Sequence, residues 1–416
     1  MDNTNKTIFL HIGMPKAGST SIQRFLYNNK EKLKEFGILY PIIQNDDNEN
    51  DYNIAEYINF RKIDKKVITQ GLEYYNQFFK NEVIDKILKN DKSFEYCDKI
   101  VFSDELLFYK KSCIDMVDVM KENGFNVKVM ICFRSPVEYL ASLWQENLKP
   151  YLDNFTTPID KFLLTASANY EVILDFIKKL GKENVIVMPF GKQYWKNGNL
   201  IEDFMSALDV ENFEEASSAP KKNSSYNRYV CDFSLVLKSF NLTREQLNDV
   251  FYDYASTFPD DGEFQLLNKN APVQISNYIE THSDHEPKVA DTIDFEIINK
   301  VNEKYSPVIS EISGYYGIES FIDKDKYQNY ISKFDLEKMI YSHSHLAIIE
   351  KAINYHNENL RKKTDNNKPE NKNAKNTETQ QAEKVSFLEN LFSVKNSGDK
   401  KVIRIFGLKI TLRKGK

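Results

Sequence analysis

The sequence predicts an α/β protein: a P-loop-type parallel sheet flanked by helices, with a mostly helical C-terminal half and a short basic tail. Three observations lead there. Short runs rich in β-branched residues alternate with stretches of helical periodicity. The first run, Thr7–Ile12, ends in a Gly-containing loop that opens directly into a helical pattern. Beyond residue 226 the patterns are mostly helical, and the last thirty residues turn basic.

The strands come in order. Thr7–Ile12 (TIFLHI) has strand length and composition. From Ser19, apolar residues recur at helical spacing (Ile22, Phe25, Leu26, Leu33, Phe36) until Gly37, a natural stop. Ile38–Tyr40, Lys99–Phe102, Val127–Phe133 and Val185–Met188 are the remaining strands, each separated from the next by helical pattern, which calls for crossover helices and parallel pairing. Residues 41–93 interrupt this rhythm with a polar insertion carrying Tyr52, Tyr57, Phe60, Tyr74, Tyr75, Phe78 and Phe79. It reads as one or two amphipathic helices over a sheet edge, or as an aromatic wall for a sugar-like acceptor. Helical patterns also cover Phe295–Ile312 and Leu336–Tyr355. The expected organisation is a domain over 1–325, a helical extension over 326–360, a linker over 361–386 rich in Asn, Lys, Glu, Gln and Thr, and a basic amphipathic tail over 387–416. In that tail Phe387, Leu388, Leu391 and Phe392 share a helical face, and two short strands are expected around Gly407.

Composition narrows function. A chain of 416 residues with 41% hydrophobic and 13% aromatic content can build an ordinary core without disulfides. Cys97, Cys113, Cys132 and Cys231 lack CxxC spacing and read as buried thiols of a reducing compartment. No apolar run reaches the roughly 18 residues of a membrane span, and MDNTNK is not a signal peptide, so a cytoplasmic protein is expected. Residues 361–416 hold fifteen Lys and Arg against six Asp and Glu, whereas the preceding 360 hold 41 against 55. An acidic body excludes a whole-chain nucleic-acid binder and leaves an anionic surface as a partner of the tail alone.

The loop carries the chemistry. It reads Gly13-Met14-Pro15-Lys16-Ala17-Gly18-Ser19-Thr20, the Gly-x4-Gly frame of a nucleotide-binding loop. Where a nucleotide kinase requires Lys, Ser19 stands; the only lysine, Lys16, lies inside the loop. A lysine there, followed by Ser19, Thr20 and Ser21 at a helix start, suits a short diphosphate-like group held without metal. An ordinary βα turn capped by Ser19 would look the same.

The segment His11–Gln23 resembles the 5′-phosphosulfate loop of sulfotransferases that use 3′-phosphoadenosine 5′-phosphosulfate (PAPS), and is similar to bacterial members acting on carbohydrates. Arg134-Ser135-Pro136 through Ser142, following the strand Val127–Phe133, resembles the family's 3′-phosphate motif, an arginine at a strand end and a serine eight residues on. Ser103-Asp104-Glu105-Leu106, Tyr170–Phe190 with Gly181–Asn184 before a strand, Asp203-Phe204 and Asn223-Ser224-Ser225 fit less specific family segments, and the likeness spans roughly residues 5–320. Ala17 departs from it, standing where many relatives carry a hydroxyl.

The resemblance implies a sulfuryl transfer from PAPS to a hydroxyl of a carbohydrate or glycolipid, with no metal. Pro15, Lys16, Ala17, Gly18, Ser19, Thr20 and Ser21 would bind the 5′-phosphosulfate; Arg134 and Ser142 would take the 3′-phosphate. Lys16 would meet the charge on the leaving oxygen. Glu105 is the candidate base, with His11 its competitor. Two other readings stand beside this one: a P-loop kinase or NTPase, and a non-catalytic nucleotide-binding protein. The pairs His282/His285 and His343/His345 have metal-like spacing, but no cysteine or carboxylate set in the sequence completes them. For the tail, peripheral contact with an anionic membrane competes with a small strand pair docked on protein. Its Ile-rich, basic end is similar to those of bacterial surface-polysaccharide enzymes.

Overall fold

The computed structural model describes residues 3, 5–41, 73–74, 76–109, 112–152, 155–211, 213, 225–283, 288–317, 343–366, 392–397, 400–405 and 408–413. The chain divides into two units interleaved in sequence: one of residues 1–142, 163–223 and 295–328, the other of 143–162, 224–294 and 329–416.

The first unit is built on five parallel strands. They are β1 (Thr7–His11), β2 (Ile38–Leu39), β3 (Lys99–Ser103), β4 (Asn126–Phe133) and β5 (Val185–Pro189), in the order β2-β3-β1-β4-β5. All five expected strands are present within a residue or two of their expected ends. The central β1 has β3 and β4 on either side, so Ile8, Leu10 and Ile12 are wholly buried. That burial explains a run with no polar alternation. Helices α1 (Ser19–Asn28) and α2 (Lys30–Lys34) return the chain to β2, with Gly37 at φ 70° closing the turn. Further helices are α3 (Ser112–Glu122), α4 (Pro136–Asn147), α5 (Ile159–Thr165), α6 (Glu171–Leu180) and α7 (Leu200–Ala207), of which α4 and α5 are shared between the two units in sequence.

In the insertion, Tyr52, Tyr57, Phe60 and Tyr75 lie outside the described residues. What is described there is helical, with π-type hydrogen bonding over Phe79–Leu88. Phe79 is fully buried and meets Phe125 edge-on at 6.4 Å, so this aromatic serves the core.

The second unit is helical: α8 (Arg228–Lys238), α9 (Arg244–Ala255), α10 (Pro272–His282) and α12 (His343–Asn366). The intervening α11 (Phe295–Tyr316) belongs to the first unit. Asn227 caps α8, and Thr243 with Gln246 forms a reciprocal capping box on α9. Lys351 and Tyr355 of α12 bond Asp253 (2.7 Å) and Asp249 (2.9 Å) of α9. Helix α12 runs to Asn366, into the segment expected as linker from residue 361; Arg361, Lys362 and Lys363 suit a helix C-terminus, whose dipole favours cations.

The tail forms a three-stranded antiparallel sheet of β6 (Phe392–Ser397), β7 (Lys400–Ile405) and β8 (Leu408–Arg413). Phe392, expected on a helical face, starts β6; Phe387, Leu388, Leu391 and Gly407 lie outside the described residues. Among the described residues, no helix is long and apolar enough to cross a membrane.

Candidate functional site

The candidate residues of the first unit gather at the C-terminal ends of β1, β3 and β4, the side on which open parallel sheets bind ligands. β4 continues three residues past the level of His11 (His11 pairs with Met130), and the loop leaving β1 follows it. Ile12 N–H donates to Met130 O (3.1 Å), Met14 N–H to Cys132 O (3.1 Å), and Cys132 N–H to Gly13 O (2.6 Å). The loop is thus stitched to β4 before it turns into α1.

Two glycines make the turn possible. Gly13 has φ 106°, and a Cβ there would sit 3.2 Å from the carbonyl of Glu105, so loop and β3 end approach closely. Gly18, at the N-cap of α1 with φ 83°, lies against Leu200 and Phe190 with no room for a methyl group. Ser19 is buried and its hydroxyl donates to Met14 O (3.3 Å), fixing the loop. Pro15 and Ala17 are buried, Lys16 and Ser21 half-buried, and Thr20 exposed at the first turn of α1. The start of an α-helix carries the positive end of its dipole, which makes this turn anion-attracting, although the Ser21 N–H already donates to Gly18 O (3.0 Å).

Arg134 follows β4 and reaches the same loop: its guanidinium donates to the Lys16 carbonyl. Its Nε lies 3.8 Å from Glu138 Oε2, and its guanidinium carbon 5.1 Å from the centre of the Phe190 ring. Tyr170 donates its hydroxyl to the Arg134 carbonyl (2.7 Å). Side chain and backbone of this arginine are therefore both positioned. Ser142 is half-buried on α4, one turn beyond Glu138 on the same helix face. The structure brings Arg134 to Lys16; no described bond joins Ser142 to either.

Glu105 opens a short 3-10 helix, Glu105–Tyr109, and is half-buried. Tyr109, exposed, bonds the buried Tyr139 hydroxyl to hydroxyl at 2.6 Å. Burial pushes the Tyr109 hydroxyl above its ordinary value, and the Glu105 charge acts in the same direction. His11 is different. It is fully buried, with Nδ1 2.8 Å from Ser103 Oγ and Nε2 3.7 Å from Cys132 Sγ, and Phe204 packs edge-on against its ring. Burial lowers its pKa to about 4, so the imidazole is neutral at pH 7. Gln23 completes the network by donating to Ser103 Oγ (3.2 Å).

Sequence reasoning missed Glu138, Tyr170 and Phe190 as companions of Arg134. The i,i+4 spacing of Arg134 and Glu138 was a usable signal; the other two contacts depend on long-range packing. In the second unit, Asp261 and Glu263 come together with His282, whose Nε2 is 3.0 Å from Asp261, so carboxylates far away in sequence do gather beside a histidine. Asp261 and Glu263 are exposed, and the His282–Asp261 ion pair accounts for the arrangement. All four cysteines are buried and none is in a disulfide.

No family model matches this sequence, and neither curated proteins nor solved structures provide a match to it.

Proposed function

We propose that the chain is a sulfotransferase that moves a sulfuryl group from PAPS to a hydroxyl of a carbohydrate or glycolipid, in the cytoplasm and in the service of cell-surface polysaccharide synthesis. The observation that carries this reading is the bond from the Arg134 guanidinium to the Lys16 carbonyl. It joins the arginine of one motif to the loop of the other at the ends of adjacent strands, as a nucleotide gripped at two anionic ends requires. The donor set fits such a ligand: a half-buried lysine with the first turn of α1 for one anion, a guanidinium for the other.

PAPS, when bound, supplies the sulfuryl group and a phosphate leaving oxygen. The first turn of α1, with Thr20 and Ser21, orients the 5′ end, and Lys16 sets a cation where negative charge develops. Glu105, half-buried just past β3, accepts the proton that the acceptor hydroxyl gives up as its oxygen bonds to sulfur. His11 is sealed from solvent, where an acceptor hydroxyl has no access to its ring, and this supports Glu105 as the base.

A P-loop kinase would need an ammonium at position 19, where the buried Ser19 hydroxyl is turned back to Met14 O. Calorimetry separates the readings. 3′,5′-ADP should bind without magnesium, and more tightly than ATP with magnesium; the opposite order overturns the proposal. Transfer of labelled sulfate from PAPS to extracted cell-envelope glycans then separates an enzyme from a non-catalytic nucleotide binder.

A further inference from the structure

The register of the tail sheet sorts its residues by charge. β6 pairs with β7 from Phe392↔Ile405 to Ser397↔Lys400, and β7 with β8 from Lys400↔Arg413 to Ile405↔Leu408. Directly paired residues share a face, and successive residues along a strand alternate faces. One face therefore takes Phe392, Val394, Ile403, Ile405, Ile410 and Leu412. The other takes Lys395, Lys400, Arg404, Lys409 and Arg413, with no Asp or Glu among its positions.

Two cation pairs stand directly across from each other on that second face, Lys400 opposite Arg413 and Arg404 opposite Lys409. Like charges in opposed positions destabilise an antiparallel pair. The sheet therefore gains when an anionic layer covers the face.

We propose that this face binds the headgroup layer of an anionic lipid membrane, by charge and without insertion. The cations occupy an area rather than a line: two adjacent strands wide, and four residues, about 13 Å, from Lys400 to Arg404. A headgroup layer presents anions in two dimensions, whereas a single polysaccharide or nucleic-acid strand presents them along one. The face also has no aromatic or amide residue among its positions, so it offers no stacking platform for sugars or bases. The sequence alone allowed apolar and basic residues of the tail to meet a membrane together. The register puts them on opposite faces, and only one face can lie on a bilayer.

Vesicle co-sedimentation of the full chain tests this independently of any nucleotide chemistry. Vesicles of equal parts phosphatidylglycerol and phosphatidylcholine should bind it, and phosphatidylcholine alone should not. Added salt should release it. Lys400→Gln should weaken binding about fivefold, as expected for one cation near such a surface. Lys401→Gln, the same charge loss one residue on and on the apolar face, should leave binding within about twofold. The double variant Lys400→Glu with Arg404→Glu sets carboxylates across from Arg413 and Lys409, which favours the sheet. It should still lower binding by about a hundredfold or more. Equal effects of the Lys400 and Lys401 substitutions, indifference to phosphatidylglycerol, or preference for soluble dextran sulfate over the vesicles would each overturn the proposal.

Discussion

Replacing Arg134 by alanine separates a contribution that the structure shows from one that the proposed function assigns to the same side chain. The guanidinium bonds the Lys16 carbonyl, and a hydrogen bond from a charged donor is worth about 1.5–3 kcal/mol. Its loss loosens the loop proposed to hold a 5′-phosphate, so it should weaken 5′-AMP and 3′,5′-ADP alike. The second contribution, the proposed pairing with a 3′-phosphate, would exist only for 3′,5′-ADP. A further loss of about 2–3 kcal/mol, roughly 30- to 150-fold, therefore appears in one ligand and not the other. Titration calorimetry with both nucleotides at one fixed ionic strength reads the difference directly. A melting curve measures the shared part, which at about 2 kcal/mol lowers Tm by about 4–8 °C in a unit of roughly 200 residues. Arg134→Lys restores the charge but not the planar fork, and should fall between wild type and alanine for 3′,5′-ADP. If the alanine variant loses both nucleotides by the same factor, Arg134 is a loop brace and the 3′-phosphate assignment fails.

Three further outcomes are expected. Glu105→Gln should lower kcat for sulfate transfer by about 10²–10⁴ while 3′,5′-ADP affinity stays within twofold; an unchanged kcat removes Glu105 as the base. Gly18→Ala, at φ 83° and against Leu200, should cost about 2 kcal/mol or more in urea unfolding and weaken both nucleotides; wild-type stability would mean the loop is not held as described. His11, lowered to about 4 by burial, binds a proton less readily folded than unfolded, so its contribution is full above about pH 6.5 and fades as pH falls toward 4. That is about 1.4 kcal/mol per pH unit and about 3 kcal/mol across the window. The drop between pH 7 and pH 4 should be smaller by this amount in His11→Gln, and identical drops would refute the burial argument.

The strands were legible because each is a short β-branched run closed on both sides by helical pattern or a turn residue, information local to the run. The loop was legible for the same reason: Gly13 and Gly18 mark backbone that a side chain could not follow. What lay hidden was long-range. Phe392 fits a helical face with Leu388 on spacing alone, and only pairing with Ile405 makes it strand. The end of α12 was masked by polar composition, although Arg361 to Lys363 is favourable at a helix C-terminus. The partners of Arg134 divide along the same line, since Glu138 is one helical turn away in sequence whereas Phe190 and Tyr170 arrive from other segments.

The same distinction separates the two candidate bases, of which the sequence already put Glu105 ahead of His11. Both stand at strand ends, but β1 is the central strand, and β3 and β4 flank His11 at the level of Ser103 and Met130. A residue so enclosed loses its water, and an imidazole without water is held neutral by desolvation. Glu105 lies two residues past the end of β3, beyond the last strand pairing and at the start of a short helix, where part of its surface remains wet. Strand order therefore makes one titratable group a fixture of the core and leaves the other partly exposed at the strand ends, where the proposed acceptor would enter. A substitution that opened the His11 pocket, such as Phe204→Ala, should raise the His11 pKa toward 6.5 while leaving the Glu105-dependent step intact.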